Sequence, residues 1–440
     1  MTNWSAPFIG AGDAIDASVV VPGSKSETNR ALLLAALADG PSTITGGLSS
    51  RDADLMRAAL AQLGVTIIDE DGAWRVTPPA VFAVPDAPID CGLAGTVMRF
   101  VPPLAALNGG RTTFTGDAHA SARPMGGVLD GLAQLGVAID APNIPFTQDA
   151  SGGLSGRRVE IDSSGSSQFV SALLLSGARY PDGVEVVHVP AEAGASVPSR
   201  PHIDMTVQML RDRGVEVSTP DEVTWQVAPG AIRAVDQQVE PDLTSAAAFL
   251  AAAALTGGVV RVPGWPVETT QGGAAIADIL RRVGAEVSLD DVGGGHGTLV
   301  VRGTGTVRGI GAVDLHASSE LTPVVAAVAA VADGRTVIQG VAHIRGHETD
   351  RLAALVAELG AVGAAIRETA DGLEIEGRGA GVLKPALLKA YADHRMAHAA
   401  AVVGLVVDGV ELDDIACTTK TIADFPGMWS ALVTRSGAHG

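Results

Sequence analysis

Small and apolar residues repeat one pattern six times along the chain, every 70–78 residues. Each copy contains a small-residue helix, a glycine turn, a β-branched run, an amphipathic helix, a second glycine and further β-branched residues. A six-fold repeat of this kind predicts an α/β protein. The second helix is predicted to end at a pair whose glycine suits the positive φ of a helix C-terminus: Leu63-Gly64, Leu135-Gly136, Arg213-Gly214, Val283-Gly284, Leu359-Gly360 and Ser436-Gly437.

The copies are regular except at the two ends of the sequence. A strand-like run follows five of the second helices, and the sixth copy lacks one. Residues 15–21 form a β-branched run with no helix before it, so we expect this N-terminal strand to complete the sixth copy. Three copies then fall in residues 23–240 and three in residues 1–22 with 241–440. The chain would cross between two domains near 22–23 and 240–241.

Polar residues cluster where the helices are predicted to begin. Equivalent positions of a symmetric domain point the same way, so many helix N-termini would present unpaired N–H groups on one side. Such a surface favours a small polyanionic ligand. First helices are expected to start near Ser24, Gly95, Ser166, Thr244, Glu320 and Arg395, and second helices near Arg51, Arg123, Arg200, Gln271 and His347.

Composition and charge exclude several classes of partner. The 440 residues are 47% hydrophobic but only 3% aromatic, so the core must consist mainly of Ala, Val and Leu. The net charge of −19 argues against binding to nucleic acid or an anionic membrane. Only four lysines occur, Lys25, Lys384, Lys389 and Lys420, so a lysine at a predicted helix start is a candidate functional residue.

The sequence also indicates where the protein resides. Two cysteines cannot form a disulfide framework or a cysteine-rich metal site, and the first residues show no signal-peptide pattern. The longest apolar stretch, residues 246–260, contains glycines and is too short to span a bilayer. We therefore expect a cytoplasmic protein without a membrane segment.

The first predicted helix carries the densest anion-binding chemistry. Residues 23–30 read Gly-Ser-Lys-Ser-Glu-Thr-Asn-Arg, and Ser26 and Arg30 lie four residues apart on one face beside Lys25. The spacing differs from that of a P-loop. Ordinary helix capping with solvated charges is the alternative interpretation.

A charged stretch at residues 343–351 resembles a zinc motif only superficially, because Arg351 stands where its second histidine is needed. His343 and His347 could hold a metal in principle, but no third ligand is evident, so we expect no metal. Glu320 stands alone before a helix of Ala and Val. From the residues alone, it is either a partner of the helix dipole or a general base.

Seven motifs in order resemble a known family over essentially the whole chain. They are Gly-Ser-Lys-Ser-x-Thr-Asn-Arg at 23–30, Leu-Ala-Gly-Thr-x-Met-Arg at 93–99, Arg-Pro at 123–124, Ser-Ser-Gln-Phe at 166–169, His-Glu-Thr-Asp-Arg at 347–351, Asp-His-Arg-Met-Ala at 393–397 and Thr-Lys-Thr at 419–421. The set is similar to that of the 5-enolpyruvylshikimate-3-phosphate (EPSP) synthases. The resemblance implies a two-domain inside-out α/β barrel of six βαβαββ repeats, three per domain, with helix N-termini facing the interdomain cleft.

The resemblance also implies the roles of individual residues. Shikimate 3-phosphate would contact Lys25, Ser26, Arg30, Ser166, Ser167, Gln168, Ser199, Glu320 and His347. Phosphoenolpyruvate would contact Lys25, Gly95, Arg123, Gln168, Arg351, Arg395 and Lys420. The implied catalytic residues are Glu320, Glu348 and Lys25. The sequence departs from the common family pattern at Leu93, Phe100, His202, His343 and His347.

The implied reaction joins two polyanions, which explains the need for several cations and helix termini. The 5-hydroxyl of shikimate 3-phosphate adds to phosphoenolpyruvate and phosphate is then lost, with no metal or organic cofactor. The resemblance implies a shikimate-pathway transferase inhibited by glyphosate, and we expect a monomer. Two alternatives are a UDP-N-acetylglucosamine enolpyruvyl transferase and a non-catalytic binding relative. Ala118 stands where the former carries a cysteine.

Overall fold

The computed structural model describes residues 3–9 and 14–434. The chain divides into two compact units, each with its own core. The central unit is Gly23–Val239, and the split unit combines the described residues up to Pro22 with those from Glu240 onward.

The helices of the described residues mostly begin within a few residues of the predicted positions. Short 3₁₀ turns precede several of them and displace the α-helical start. The α-helices are α1 Lys25–Leu37, α2 Arg51–Gln62, α3 Gly95–Ala105, α4 Gly126–Gln134, α5 Gln168–Gly177, α6 Pro201–Asp212, α7 Leu243–Thr256, α8 Ile276–Val283, α9 Thr322–Val331, α10 Arg351–Ala361, α11 His394–Gly404 and α12 Phe425–Thr434.

The strands are short and form six small sheets. They are β1 Trp4–Ser5, β2 Asp16–Ser18, β3 Ser42–Thr45, β4 Thr66–Glu70, β5 Ala73–Thr77, β6 Ile89–Asp90, β7 Arg111–Thr115, β8 Ala138–Ile139, β9 Phe146–Asp149, β10 Arg158–Ile161, β11 Val184–His188, β12 Val217–Ser218, β13 Thr224–Val227, β14 Gln237–Gln238, β15 Val259–Pro266, β16 Glu286–Gly293, β17 His296–Arg302, β18 Gly311–Asp314, β19 Asp333–Gln339, β20 Ala365–Glu368, β21 Leu373–Arg378, β22 Leu387–Leu388 and β23 Glu411–Leu412.

The second copy of the repeat shows how strands and helices alternate within one unit of the repeat. β6 pairs in parallel with β7, β7 pairs antiparallel with β9, and β9 pairs antiparallel with β8. Helix α3 lies between β6 and β7 in the chain, and α4 lies between β7 and β8, which gives the order βαβαββ. The central unit has three four-stranded sheets of this kind, and the split unit has two together with a three-stranded sheet in the order β1-β23-β22.

The N-terminal segment differs from the prediction. The run at residues 15–21 does not complete the sixth copy, because β2 pairs in parallel with β15 and opens the fourth copy. The sixth copy is completed instead by β1, which pairs antiparallel with β23. A strand of two residues shows no alternation of apolar and polar residues, so β1 could not be predicted. The longer β-branched run at residues 15–21 was therefore assigned to the sixth copy instead.

Glycines end the second helices as predicted in four copies. Gly64, Gly136, Gly214 and Gly284 have φ between 76° and 114°. The fifth prediction was wrong by three residues, because Gly360 lies inside α10 and the left-handed residue is Gly363 at φ 94°. A glycine inside a helix is tolerated when the packing of the helix outweighs its weak propensity. The predicted sixth pair, Ser436-Gly437, lies outside the described residues.

The apolar stretch at residues 246–260 forms most of a core helix. Helix α7 is buried along almost its whole length in the core of the split unit. Within the described residues, no helix is both long and apolar enough to cross a membrane.

An aromatic cluster closes the core of the split unit around His398. Its imidazole stacks on Phe425 with ring centroids 4.6 Å apart, and Phe425 stacks on Trp429. Neither ring nitrogen of His398 has a hydrogen-bond partner among the residues that the structure describes. Because an unpaired charge is costly in such surroundings, burial lowers the pKa of His398 to about 3, with Arg395 adding to the shift.

Replacing His398 with phenylalanine should make the protein less sensitive to acid. A histidine whose pKa is lowered by folding binds its proton first in the unfolded chain, so wild-type stability falls as the pH drops below about 6.5. The free energy of unfolding of the variant relative to wild type should therefore rise by up to about 1.4 kcal/mol per pH unit below that point. Urea titrations from pH 8 to 4.5 measure the difference. A constant difference over this range would contradict the assignment.

Candidate active site

The guanidinium of Arg351, at the start of α10, is the centre of a charged cluster in the split unit. It is 1% exposed and donates to Asp393 through Nε at 2.7 Å and Nη2 at 3.2 Å. Glu348 accepts from Nη2 at 3.0 Å, Glu320 from Nη1 at 3.4 Å, and His347 Nδ1 lies 2.8 Å from Nη1. Burial lowers the pKa of Arg351, but Asp393, Glu320 and Glu348 reverse this and raise it above its usual range.

Glu320 lies between two arginines just before α9. Its Oε2 accepts from Arg395 Nε in a short contact and from Arg351. Burial raises the pKa of Glu320, but Arg395 and Arg351 outweigh it and hold the pKa well below its usual range. Glu320 is therefore ionised at neutral pH, and while both arginines are bound to it, its basicity is weak.

Glu348 joins Lys420 to the same cluster. Lys420 Nζ donates to Oε1 at 2.6 Å, while Arg351 binds Oε2. The Glu348 side chain is only 9% exposed and that of Lys420 14%. Two cations from different copies thus fix the carboxylate of Glu348 in place.

Three histidines extend from the cluster in a row. His347 and His343 have ring centroids 5.9 Å apart, and His343 and His316 are 5.7 Å apart. Because Arg351 can only donate, His347 Nδ1 must accept, so the proton of the neutral ring is on Nε2. Burial, followed by Arg351, lowers the pKa of His347 to about 3, and burial, followed by His316, lowers that of His343 to about 4.

The fourth copy contributes no charged residue at the equivalent helix start. Gln271 donates to Glu240 at 2.8 Å and to the Pro241 carbonyl at 2.9 Å, and its Oε1 accepts from the Leu243 amide at 3.2 Å. It thus fixes the segment where the chain re-enters the split unit. The charged cluster comes from the fifth and sixth copies.

In the central unit, helix α1 begins the second cluster. Ser24 caps the helix by accepting from the Glu27 amide at 3.4 Å, and Lys25 Nζ lies 3.7 Å from Asp52. Ser26 is half-buried on the first turn, and its carbonyl accepts from Arg30 Nη1 at 3.0 Å. The predicted group of Lys25, Ser26 and Arg30 therefore lies at one helix start.

Arg30 is deeply buried and fixed by side chains from other copies. Its Nε donates to Thr206 Oγ1 at 2.7 Å, and Nη2 contacts Ser171 Oγ at 3.2 Å and the His202 carbonyl at 3.0 Å. The guanidinium also lies over the ring of Phe100, 5.0 Å from its centroid. Burial lowers the pKa of Arg30 to about 9, so the group still carries its charge at neutral pH.

The starts of α1, α3 and α5 are linked directly. Asn29 donates to Thr96 at 3.0 Å, and Arg99 donates to Gln168 at 2.7 Å. These bonds join first helices from the three copies of the central unit. The prediction that equivalent helix starts converge is therefore confirmed within this unit.

Gly95 and Arg123 are in contact at the start of α3. Arg123 Nη1 donates to the Leu93 carbonyl at 2.9 Å. A Cβ on Gly95 would lie 2.9 Å from Arg123 Nη2 and 3.0 Å from Nη1. Glycine is therefore needed here for the guanidinium to approach the helix start.

If phosphoenolpyruvate is the substrate, as the sequence resemblance implies, changing Gly95 to alanine should raise its KM about 10-fold or more with little change in folding. The new methyl group meets the end of a flexible side chain, so Arg123 moves and the backbone stays. Displacing one positioning cation costs about 10–100-fold in kcat/KM. Steady-state kinetics and a melting curve measure both effects. An unchanged KM would show that Arg123 does not bind this substrate.

The predicted serines gather at the starts of α5 and α6. Ser166 Oγ accepts from the Gln168 amide at 3.2 Å, and Ser167 is 3% exposed. Ser199 precedes α6 with φ 50°, a left-handed conformation that is uncommon for serine and often found at functional sites. The structure thus brings the predicted residues of the central unit to adjacent helix starts.

A family model described as EPSP synthase (3-phosphoshikimate 1-carboxyvinyltransferase) matches residues 9–429. The chain belongs to the EPSP synthase family. A relative described as 3-phosphoshikimate 1-carboxyvinyltransferase, from Mycobacterium ulcerans (strain Agy99), is 49% identical over 439 residues, which cover 98% of each chain.

Solved structures of similar proteins show the same fold. An EPSP synthase structure from Acinetobacter baumannii has a TM-score of 0.80 and 24% identity, covering 99% of this chain and 98% of that one. The enolpyruvyl transferase NikO from Streptomyces tendae has a TM-score of 0.71 and 17% identity over 96% of each chain. The predicted fold class, EPSP synthase family and enzyme class are confirmed.

Several residues of the two clusters were not predicted as functional. Asp393 and Asp52 hold Arg351 and Lys25, and Thr206 holds Arg30. Asp393 stands inside a motif that marks the EPSP synthase family, and Tyr391 and Ala392 before it have φ of 56° and 54°. The motif was the available signal, but the sequence does not show which cation the aspartate binds.

His343 and His347 each use a ring nitrogen for a contact within the protein. Within residues 3–9 and 14–434, no group of three or more His, Cys, Asp or Glu is arranged to hold a metal ion. His347 Nδ1 is occupied by Arg351, and His343 Nε2 lies 2.9 Å from Ser319 Oγ. In this member of the EPSP synthase family, the two rings serve hydrogen bonding.

Proposed function

We propose that the protein transfers the enolpyruvyl group of phosphoenolpyruvate to the 5-hydroxyl of shikimate 3-phosphate and releases phosphate. The observation that carries the proposal is the arrangement of Glu320, Glu348, Lys420 and two arginines in one cluster, in a chain of the EPSP synthase family. Two carboxylates in distinct surroundings suit a reaction that needs one base and one separate proton carrier.

Shikimate 3-phosphate is proposed to bind chiefly at the helix starts of the central unit. Serine hydroxyls and helix N–H groups donate to phosphate, and a buried guanidinium suits its carboxylate. Glu320 and His347 would contact the ring hydroxyls, with His347 donating through Nε2. The proposed ligands are Lys25, Ser26, Arg30, Ser166, Ser167, Gln168, Ser199, Glu320 and His347.

Phosphoenolpyruvate is proposed to bind cationic side chains and a helix start. The helix start at Gly95 offers backbone N–H groups, and guanidinium groups bind carboxylate and phosphate in a bidentate manner. The proposed ligands are Lys25, Gly95, Arg123, Gln168, Arg351, Arg395 and Lys420.

Binding of this substrate is proposed to activate Glu320. Arg351 and Arg395 now donate to Glu320, and an anionic ligand competes for the same N–H groups. Each bond transferred to the ligand removes a cation from Glu320 and raises its pKa. The base would thus become competent when phosphoenolpyruvate is bound.

The chemical steps then follow from the two carboxylates. Glu320 removes the proton of the 5-hydroxyl while the hydroxyl oxygen bonds to C2 of phosphoenolpyruvate. At the same time C3 of phosphoenolpyruvate gains a proton from Glu348 or Lys25. A tetrahedral intermediate forms. Its C–O bond to phosphate breaks, C3 loses a proton to the same group, and the enol ether and phosphate leave. The neighbouring cations stabilise the charge on the departing phosphate.

Phosphate release tests this proposal. Purified protein should release phosphate from phosphoenolpyruvate only with shikimate 3-phosphate present, and EDTA should have no effect. A UDP-N-acetylglucosamine acceptor serves as the alternative substrate. Turnover with the UDP-sugar, or none with either acceptor, would contradict the proposal.

We also propose that the two units are the functional domains, each of three repeats. The protein is proposed to be a cytoplasmic monomer. Cys91 and Cys417 are both free cysteines that form no disulfide bond, which suits a reducing compartment. Size-exclusion chromatography with light scattering tests the monomeric state.

A further inference from the structure

Arg99 is a buried arginine of α3 to which the proposed reaction assigns no role. It is 3% exposed. Its Nη1 donates to Gln168 Oε1 at 2.7 Å, and Nη2 and Nε donate to the Pro124 carbonyl at 2.9 Å and 3.3 Å. One guanidinium therefore bonds to the start of α5 and to the residue directly after Arg123.

The contact with Gln168 fixes which end of the amide is presented outward. Arginine has only donors, so it must bind the oxygen of the amide. The NH₂ group of Gln168 is then the end that remains for a ligand, and Gln168 is half-buried, with part of its surface open. Arg99 thereby makes Gln168 a donor, as an anionic substrate requires.

The contact with Pro124 acts on the second anion-binding residue. The Pro124 carbonyl is held between Nε and Nη2 of Arg99, and Arg123 is the preceding residue. The guanidinium of Arg99 is itself fixed over the ring of Phe169, 5.3 Å from its centroid. Arg99 is therefore held rigidly while it holds both Gln168 and the backbone beside Arg123.

We infer that Arg99 is a positioning residue that orients Gln168 and Arg123 together toward phosphoenolpyruvate. The inference rests on the proposed function, because it takes these two residues as ligands of that substrate. Arg99 itself contacts protein atoms at both ends, so its effect on the substrate passes through Gln168 and Arg123.

A double-mutant cycle tests the inference. Arg99→Met, Gln168→Met and the double variant are compared by kcat/KM for phosphoenolpyruvate and by calorimetric binding of phosphoenolpyruvate with shikimate 3-phosphate. Arg99→Met should lower kcat/KM about 10–100-fold, mostly through KM. Because the two residues act as a unit, the double variant should be within about threefold of the more impaired single variant. If the fold losses in kcat/KM of the two single variants multiply in the double variant, the inference is overturned.

Arg213 provides a matched control in the same unit. It is 1% exposed, donates to Gln237 Oε1 at 3.0 Å and to the Met209 carbonyl at 3.0 Å, and so makes the same kinds of bond. Arg213→Met should lower the melting temperature about as much as Arg99→Met while leaving KM unchanged. An equal rise of KM in both variants would show that Arg99 acts only on stability.

Arg99→Lys keeps the experiment decisive if the methionine variant does not fold. Lysine keeps the charge but cannot bridge two acceptors, so KM should lie between those of wild type and Gln168→Met. A wild-type KM in Arg99→Lys would overturn the inference. Wild-type phosphate release is measured first: its absence would refute the proposed function, and the binding cycle would still report on Arg99.

Discussion

Changing Glu348 to glutamine should lower kcat by about 10²–10⁴-fold while binding of shikimate 3-phosphate stays near the wild-type value. Glutamine has the same shape and keeps one oxygen for Arg351 or Lys420, but it cannot exchange a proton. The carboxylate now accepts from Lys420 at 2.6 Å and from Arg351 at 3.0 Å; the amide keeps one of these bonds through its oxygen and loses the other, because its NH₂ group cannot accept. Rapid-quench or steady-state turnover and a fluorescence titration separate the two quantities.

Glu358 on α10, the helix that begins just after Glu348, is the matched control. It is 8% exposed and accepts from Tyr391 Oη at 2.6 Å and from the Lys389 amide at 2.9 Å. Glu358→Gln should change stability but not lower kcat by more than about twofold. If Glu348→Gln retains more than about a tenth of wild-type turnover, Glu348 is not the proton carrier.

Changing Arg351 to methionine should lower the free energy of unfolding of the split unit by about 3–5 kcal/mol and abolish measurable turnover. The loss would leave the carboxylate of Asp393, at 0% side-chain exposure, without the cation that binds both its oxygens, and would leave Glu348, at 9%, with Lys420 alone. Urea denaturation followed by circular dichroism measures the stability.

Two further variants identify the cause of the loss in the free energy of unfolding. Arg335→Met breaks an ion pair whose arginine side chain is 59% exposed, and should cost less than about 1 kcal/mol. Adding Asp393→Asn to Arg351→Met should restore part of the lost stability, because it removes one stranded charge. No restoration would indicate that packing of the arginine, rather than its charge, is what stabilises the cluster.

The helix starts could be predicted because their signals are local. Ser24 is a capping residue before a small-residue helix, and Gly64 and Gly136 follow amphipathic helices, so a short window of sequence contains the information. The same windows contain most of the candidate site. The proposed roles of Gly95, Gln168 and Glu348 come from the resemblance of the motifs in these windows to the EPSP synthases.

The partners of these residues could not be predicted, because they come from other copies of the repeat. Thr206 and Ser171 hold Arg30 across 176 and 141 residues, and Asp393 holds Arg351 across 42. Nothing in a local pattern specifies such a pair, since many polar residues occupy equivalent helix positions. The strand pairing of β1 and β2 was obscure for the same reason.

The pairing of β2 with β15 also constrains the order in which the protein can fold during synthesis. β2 leaves the ribosome early, but its partner β15 follows only after the whole central unit has been made. The central unit is continuous and can fold first, as N-terminal segments generally do. Its two ends then lie together, since a Cβ on Gly23 would be 3.1 Å from Val239 Cγ1. Folding of the central unit therefore shortens the loop that closes when β2 pairs with β15 and lowers the entropic cost of that pairing, so we expect the split unit to complete its sheet only after the central unit has folded.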